Sequence, residues 1–192
     1  VGANVGIYSC YAAKKKNCKV YAFEPSVFNL EVLSKNIDIN GLNELITIFS
    51  LPLTNKIKET NFNMSSIDSG GAISTFGEVY KSDGTNLDKV FSYKMLGLSI
   101  DDAIKKLGLV KPNYIKIDVD GIEHLILSGG QEVLKTVDEI LIEVDEKFET
   151  QATQVKKILK SNGLQFESKN QSKMMQQASK DNKTYNQIWK RK

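Results

Sequence analysis

Along the first fifty residues, short apolar runs alternate with stretches of helical spacing. The run CKVYAF at 18–23 is β-branched and aromatic and stops at Glu24-Pro25, which predicts a buried strand ended by proline. Ser26 then stands where a helix cap belongs, and Val27, Leu30, Val32, Leu33 and Ile37 keep helical spacing up to Asn40-Gly41. LITIF at 45–49 predicts a second strand. Before all of this, VGANVG at 1–6 reads as a tight glycine turn leading directly into a helix. The order turn, helix, strand, helix, strand predicts a parallel sheet with crossover helices.

The rhythm breaks over 51–98, where NFNMSSIDSGGAISTFGEVY is rich in Ser, Asn and Gly and lacks a steady period. A long irregular insertion, of the kind that forms a substrate loop or lid, is expected there. Order returns with a helix opening at Ser99-Ile100-Asp101-Asp102 and closing at Leu107-Gly108. NYIKIDVDG at 113–121 predicts a strand, followed by a helix from Ile122 that is interrupted at Gly129-Gly130. EILIEVDE at 139–146 predicts another strand, and a polar helix follows over 150–159. Two late strands are expected at 164–168 and 185–189, with a mobile loop over 169–183 between them.

Composition narrows the function classes. The 192 residues suit a single domain with one core, 41% hydrophobic and 26% charged. A net charge of +3 with no long basic block makes no demand for nucleic acid. Lys14-Lys15-Lys16 reads as a solvated helix end. Cys10 and Cys18 are too few for a disulfide scaffold and match no zinc spacing, so free thiols in a reducing, cytoplasmic setting are expected. No apolar stretch reaches the roughly 18 residues of a membrane span. No signal peptide is visible, although the chain opens inside an element and its first strand is expected to be truncated.

Ligands of open parallel sheets bind outside the carboxyl ends of the strands. Those ends here carry the 2–6 glycine turn, Glu24, Asp118 with Asp120, and Glu143 with Asp145. Gly2 and Gly6 let the backbone turn sharply with no intervening side chain, and the following helix offers unpaired N–H groups to a phosphate or a carboxylate. Glu24, about twenty residues on, can accept a hydrogen bond from each hydroxyl of a ribose pair. The combination is a nucleoside-cofactor signature. The Gly-x-Gly-x-x-Gly pattern of NAD sites is not met, because Ser9 stands three residues after Gly6, and the P-loop pattern is absent.

The segments VGANVGIYS, YAFEPS, NYIKIDVDGIEHLILSGG and YNQIWKR together resemble the FkbM-type family of S-adenosylmethionine-dependent methyltransferases, in order and over nearly the whole chain. KIDVDGIE is the most family-specific of them. The resemblance implies an α/β fold with a Rossmann-like class I methyltransferase sheet, mostly parallel, with a final antiparallel strand near 185–189. It implies S-adenosyl-L-methionine as cofactor, with Gly2, Asn4 and Gly6 around its methionine part and Glu24 on its ribose. The full cofactor-binding set expected is Gly2, Ala3, Asn4, Gly6, Glu24 and Asp118. Two departures stand out. The family's acidic residue just before the position of Val1 is absent along with the rest of the first strand, and Pro52-Leu53-Thr54-Asn55 replaces a small-Leu-Ser-Asp pattern, which weakens Asn55 as an adenine contact.

The expected reaction is O-methylation of a small molecule or a glycan. Asp118 and Glu123 are the candidate proton acceptors for a hydroxyl. Glu123 also reads as a helix-dipole acid, and His124, the single histidine, is a minority candidate for a general base, against which stands the apolar run 125–127 that begins beside it. Glu143 and Asp145 either line the acceptor site or face water. A divalent metal on Asp118, Asp120 and Glu123 is a secondary alternative, and no metal is expected. The rival functions are a Rossmann-like NAD-binding oxidoreductase and a truncated, non-catalytic relic. The acceptor's identity and the oligomeric state are not written in these patterns.

Overall fold

The computed structural model describes residues 1–171 and 183–192. Helix α1 (Ile7–Lys16) follows the glycine turn directly, and its three terminal lysines sit where the helix dipole favours cations. Strand β1 (Val20–Phe23) leads to helix α2 (Val27–Ile39), whose Ser26 cap accepts the Asn29 N–H at 3.4 Å. Strand β2 (Ile46–Phe49) lies parallel to β1. Ala13, Ala22, Leu33, Ile37, Leu42 and Ile46 fuse these four elements into one apolar cluster.

The expected irregular insertion over 51–98 is instead largely a sheet. Strands β3 (Leu53–Thr54), β4 (Lys58–Met64), β5 (Ser74–Phe76) and β6 (Phe91–Ser99) pair in the order β3-β6-β4-β5. Its central pairing, β4 with β6, is antiparallel over seven residue pairs, from Lys58 opposite Gly97 to Met64 opposite Phe91. The polar composition that hid these strands includes exposed positions such as Glu59 and Asn61 but also the buried Thr54, Asn63 and Thr75, while Phe62, Met64 and Phe76 join the main core.

Ser99 caps helix α3 (Ile100–Lys106), and β7 (Tyr114–Ile117) follows. β7 stops at Ile117, so Asp118, Val119 and Asp120 lie beyond the strand. Helices α4 (Glu123–Ser128) and α5 (Gln131–Leu134) flank the glycine pair as expected. Strand β8 (Glu139–Asp145), helix α6 (Glu149–Ser161) and strands β9 (Leu164–Asn170) and β10 (Thr184–Arg191) complete the chain. The loop expected over 169–183 overlaps the end of β9, and its residues 172–182 lie outside those described.

A second sheet has the order β7-β8-β10-β9, with β10 antiparallel to both neighbours. Trp189 on β10 is 2% exposed and meets Phe166 edge-on at 5.5 Å. The first residues of the chain link this sheet to β1. The Val1 nitrogen donates to the Lys116 carbonyl at 2.7 Å and the Val1 carbonyl accepts from Asp118 N–H at 3.2 Å. On the other side the Gly2 and Ala3 N–H groups donate to the Phe23 carbonyl at 3.1 and 3.0 Å. The arrangement is α/β but mixed, not mostly parallel. Among the described residues three strand pairs run parallel and four antiparallel, because the 51–98 strands are joined mainly as hairpin-like neighbours and β10 reverses between β8 and β9.

Candidate functional site

The carboxyl ends of β1 and β7 open into a hollow of about 140 Å³. Gly2, Asn4 and Glu24 line one side, and Asp118, Val119 and Asp120 the other. Phe23, Leu53, Phe62, Phe76, Ile122 and Ile126 give it an apolar floor, and Gly71, Ala72 and Ser74 cross it from the β4–β5 connection. The hollow lies at two of the strand ends to which the topological rule points, while Glu143 and Asp145 at the end of β8 are outside its lining.

The glycine turn is built for close packing as well as for a ligand. Gly2 has φ 72°, and a Cβ there would lie 1.9 Å from the Asp118 carbonyl oxygen. Gly6 has φ 89°, and a Cβ there would lie 2.5 Å from Leu33 Cδ1. Glycine is therefore required at Gly2 to bring the turn against the end of β7, and at Gly6 to seat α1 on α2. Asn4 takes φ 49°, a conformation asparagine tolerates, and its side-chain oxygen accepts the Val5 N–H at 2.7 Å.

Glu24 is the hub of this side. It is 4% exposed. Its Oε2 accepts the Asn4 N–H at 2.7 Å, and its Oε1 accepts the Ser26 N–H at 2.9 Å and Asn29 Nδ2 at 3.4 Å. Burial raises its pKa, and the hydrogen bonds from Ser26, Asn4 and Asn29 work against that rise. A carboxylate has about four acceptor positions. Among the described residues three are used, one of them by a long bond, and one on Oε2 remains free.

On the opposite side, Asp118 forms a short ion pair with Lys116, whose ammonium sits 4.0 Å from the centre of the Tyr8 ring. Asp120 Oδ2 accepts the Ser74 N–H at 2.8 Å, and burial pushes the Asp120 carboxyl up to about 6. Glu143, on β8, is pushed up to about 7 by burial and then by the negative charges of Asp118 and Asp120.

Several expected residues lie elsewhere. Ala3 and Gly6 are outside the lining and act through the backbone bond to Phe23 and the α1–α2 contact. Glu123 is also outside the lining: it is 2% exposed and its carboxylate accepts from Gln151 Nε2, which fastens α4 to α6. Burial raises its pKa well above the usual carboxylate range. A helix-initial glutamate next to an apolar run was more legible as chemistry than as this buried tie. His124 packs edge-on to Phe148 at 6.5 Å, away from the hollow. Asp145 accepts from Lys147 N–H at 2.8 Å and Thr184 Oγ1 at 3.0 Å, bracing the β8–α6 turn. Asn55 is outside the lining, though Leu51, Pro52 and Leu53 belong to it. Among the described residues no group of three or more His, Cys, Asp or Glu could hold a metal ion, so Asp118, Asp120 and Glu123 do not form such a cluster. Also among the described residues, no helix is long and apolar enough to cross a membrane.

Asn29 was not singled out from the sequence. It is 4% exposed, lines the hollow and bonds both Glu24 and the β4–β5 connection. Its one sequence signal is its place three residues after a serine cap and five after Glu24.

Residues 1–166 match the family described as Methyltransferase FkbM domain. The chain belongs to that family. Among curated proteins it is similar to the hexuronic acid methyltransferase AglP of Haloferax volcanii, with 27% identity over 146 residues, 75% of this chain and 54% of the relative. The chain thus spans about half the length of that relative. Among solved structures, a methyltransferase FkbM from Methylobacillus flagellatus KT superimposes with a TM-score of 0.64 at 15% identity, covering 98% of this chain and 41% of the other. A protein in the NADB-Rossmann superfamily from Streptococcus agalactiae gives 0.53 at 12% identity, covering 100% and 60%. The structural likenesses concern the fold, and the FkbM domain match makes the chain a methyltransferase-family protein rather than a member of an oxidoreductase family.

Proposed function

We propose that the protein binds S-adenosyl-L-methionine and methylates an oxygen of a small-molecule or glycan acceptor. One observation carries this reading: a buried Glu24 carboxylate with a free acceptor position shares a hollow with the Gly2–Asn4 turn. The residues fit a nucleoside. Glu24 would hold the ribose hydroxyls, and Gly2, Ala3, Asn4 and Gly6, as the turn itself, would shape the bed for the amino-acid part with Asp118 opposite. The bound cofactor supplies an electrophilic methyl on a sulfonium. Asp118 holds the proton released by the acceptor hydroxyl, with Lys116 at its other side. The apolar floor and the 70–74 segment exclude water and fix the acceptor at short range, which is most of what such a transfer requires. Glu123 has a supporting role, holding α4 beneath Ile122 and Ile126 through Gln151. The name of the Haloferax relative supports a uronic-acid-bearing glycan as the acceptor class. The whole chain, 1–192, is read as one methyltransferase domain in which the 51–98 strands build the acceptor side.

Titration calorimetry with S-adenosylhomocysteine tests the donor half. The wild type should bind, and Glu24→Ala should lose about 1.5–3 kcal/mol, the value of hydrogen bonds to a charged group. A wild type that does not bind would remove the nucleoside reading. Labelled-methyl transfer to uronic-acid and neutral glycans tests the acceptor half, where Asp118→Asn should cut turnover more than cofactor affinity.

A further inference from the structure

Asp120 lines the hollow two residues beyond Asp118 and has no part in the steps above. Its seat is fixed from two directions. On one, its Oδ2 accepts the Ser74 N–H at 2.8 Å, and the Ile73 N–H also acts on the carboxyl. Those two amides belong to a wall tied by its own main chain. The Ser65 N–H donates to the Ile73 carbonyl at 3.2 Å, and Ser74, Thr75 and Phe76 pair with Met64, Asn63 and Phe62. On the other, Gly121 at φ 97° packs so closely on the Lys81 carbonyl oxygen that a Cβ would lie 2.7 Å from it. Ile73 itself takes φ 63°, a strained conformation for a β-branched residue. Its side chain finds no compensating burial, being 40% exposed and part of neither apolar cluster. Backbone strain of this kind concentrates at functional sites. Here it delivers two successive amides to one carboxyl.

The two aspartates differ in what neutralises them. Asp118 holds Lys116 in an ion pair, whereas among the described residues neither a cation nor a side-chain donor bonds Asp120. A carboxylate has about four acceptor positions. A partly satisfied carboxyl on the wall of a hollow leaves positions for hydroxyl donors of a bound molecule. Two residues of chain span at most about 7 Å. Asp118 and Asp120 are therefore spaced to meet neighbouring hydroxyls of one sugar ring, with Glu24 and the glycine turn facing them across the hollow.

We propose that Asp120 is an acceptor-binding residue that takes a second hydroxyl of the acceptor beside the one presented to Asp118, so that the substrate class is a polyol with two neighbouring hydroxyls, one of which is methylated. This rests on the reading of the hollow given above. Asp120 remains a hydrogen-bond acceptor throughout and takes no proton. An acceptor with a single hydroxyl engages Asp118 alone and is free to turn about that bond.

Labelled-methyl transfer to uronic-acid and neutral methyl glycosides, and to their monodeoxy analogues, tests this together with Asp120→Ala. In the wild type, removing the methylated hydroxyl abolishes transfer. Removing its neighbour should raise KM roughly ten-fold or more, as for one hydrogen bond to a charged group, with a smaller change in kcat. Asp120→Ala should raise KM for the parent glycoside by a similar factor and no longer discriminate against the neighbouring deoxy analogue. Its affinity for S-adenosylhomocysteine by calorimetry should move far less. Asp120→Asn keeps an oxygen for the Ser74 N–H, should likewise narrow the discrimination, and serves if the alanine variant fails to fold. Penalties of variant and deoxy analogue that multiply would overturn the proposal, as would a wild type indifferent to the neighbouring hydroxyl. A wild type that binds S-adenosylhomocysteine but methylates none of these glycosides overturns it too. A wild type with no calorimetric signal removes the donor-site reading, and this inference with it.

Discussion

Gly6 illustrates how one residue type can be legible while its reason is not. The spacing of Gly2 and Gly6 marks a tight turn, and the turn is there. The sequence reading gave both glycines to the ligand; in the structure Gly6 packs on Leu33, outside the lining of the hollow, while Gly2 lines the hollow and also packs on the Asp118 carbonyl. Gly6→Ala would combine a left-handed φ of 89° with a Cβ only 2.5 Å from Leu33 Cδ1. The expected cost is about 1–3 kcal/mol, seen as a lower midpoint in urea denaturation. Asn29 shows the opposite case. An asparagine on a helix carries no mark of its partners, because Gly70 and Gly71 reach it from a strand connection some forty residues away in sequence.

Elements with local determinants were readable. The apolar spacing of α2, its serine cap and the β-branched runs of β1, β2, β7 and β8 each depend on residues within one turn or one strand. The β4–β6 pair was not readable, since its partners lie up to thirty-nine residues apart, Lys58 opposite Gly97, and its polar residues include the buried Asn63. Helix α5 shows a cap of the same non-local kind. Asp101, on α3, accepts the Glu132 and Val133 N–H groups at 2.9 and 3.0 Å, satisfying two amides at the start of α5. From the sequence Asp101 reads only as part of its own helix start. Asp101→Ala should therefore destabilise the protein by about 0.5–2 kcal/mol. Thermal melting should show the loss, and an unchanged midpoint would mean that α5 needs no cap from α3.

At the scale of the molecule, the acids around the hollow set a pH dependence. Glu143 is raised from 4.5 to about 7 and Asp120 from 3.8 to about 6, both mainly by burial. A carboxyl whose folded pKa exceeds its unfolded value binds more protons when folded in the window between the two. Stability from these groups is thus fully retained below about pH 4 and lost as pH rises through about 6 and 7. Glu143→Gln should raise the melting temperature at pH 8 and leave it nearly unchanged at pH 4. An equal shift at both pH values would place Glu143 in a solvated setting. The same burial keeps Glu123 protonated to higher pH, beside the Gln151 carboxamide, whose Oε1 has no hydrogen-bond partner among the described residues.

Trp189 is the single tryptophan, sealed between β8 and β9 and beyond the lining of the hollow. Its emission is consequently a built-in optical gauge of whether the β8–β10–β9 end is intact. Unfolding of that end would expose the indole and change its emission, so the signal reports the state of the sheet. With occupancy followed by heat or by isotope, the lone indole keeps a record of integrity in the same cuvette.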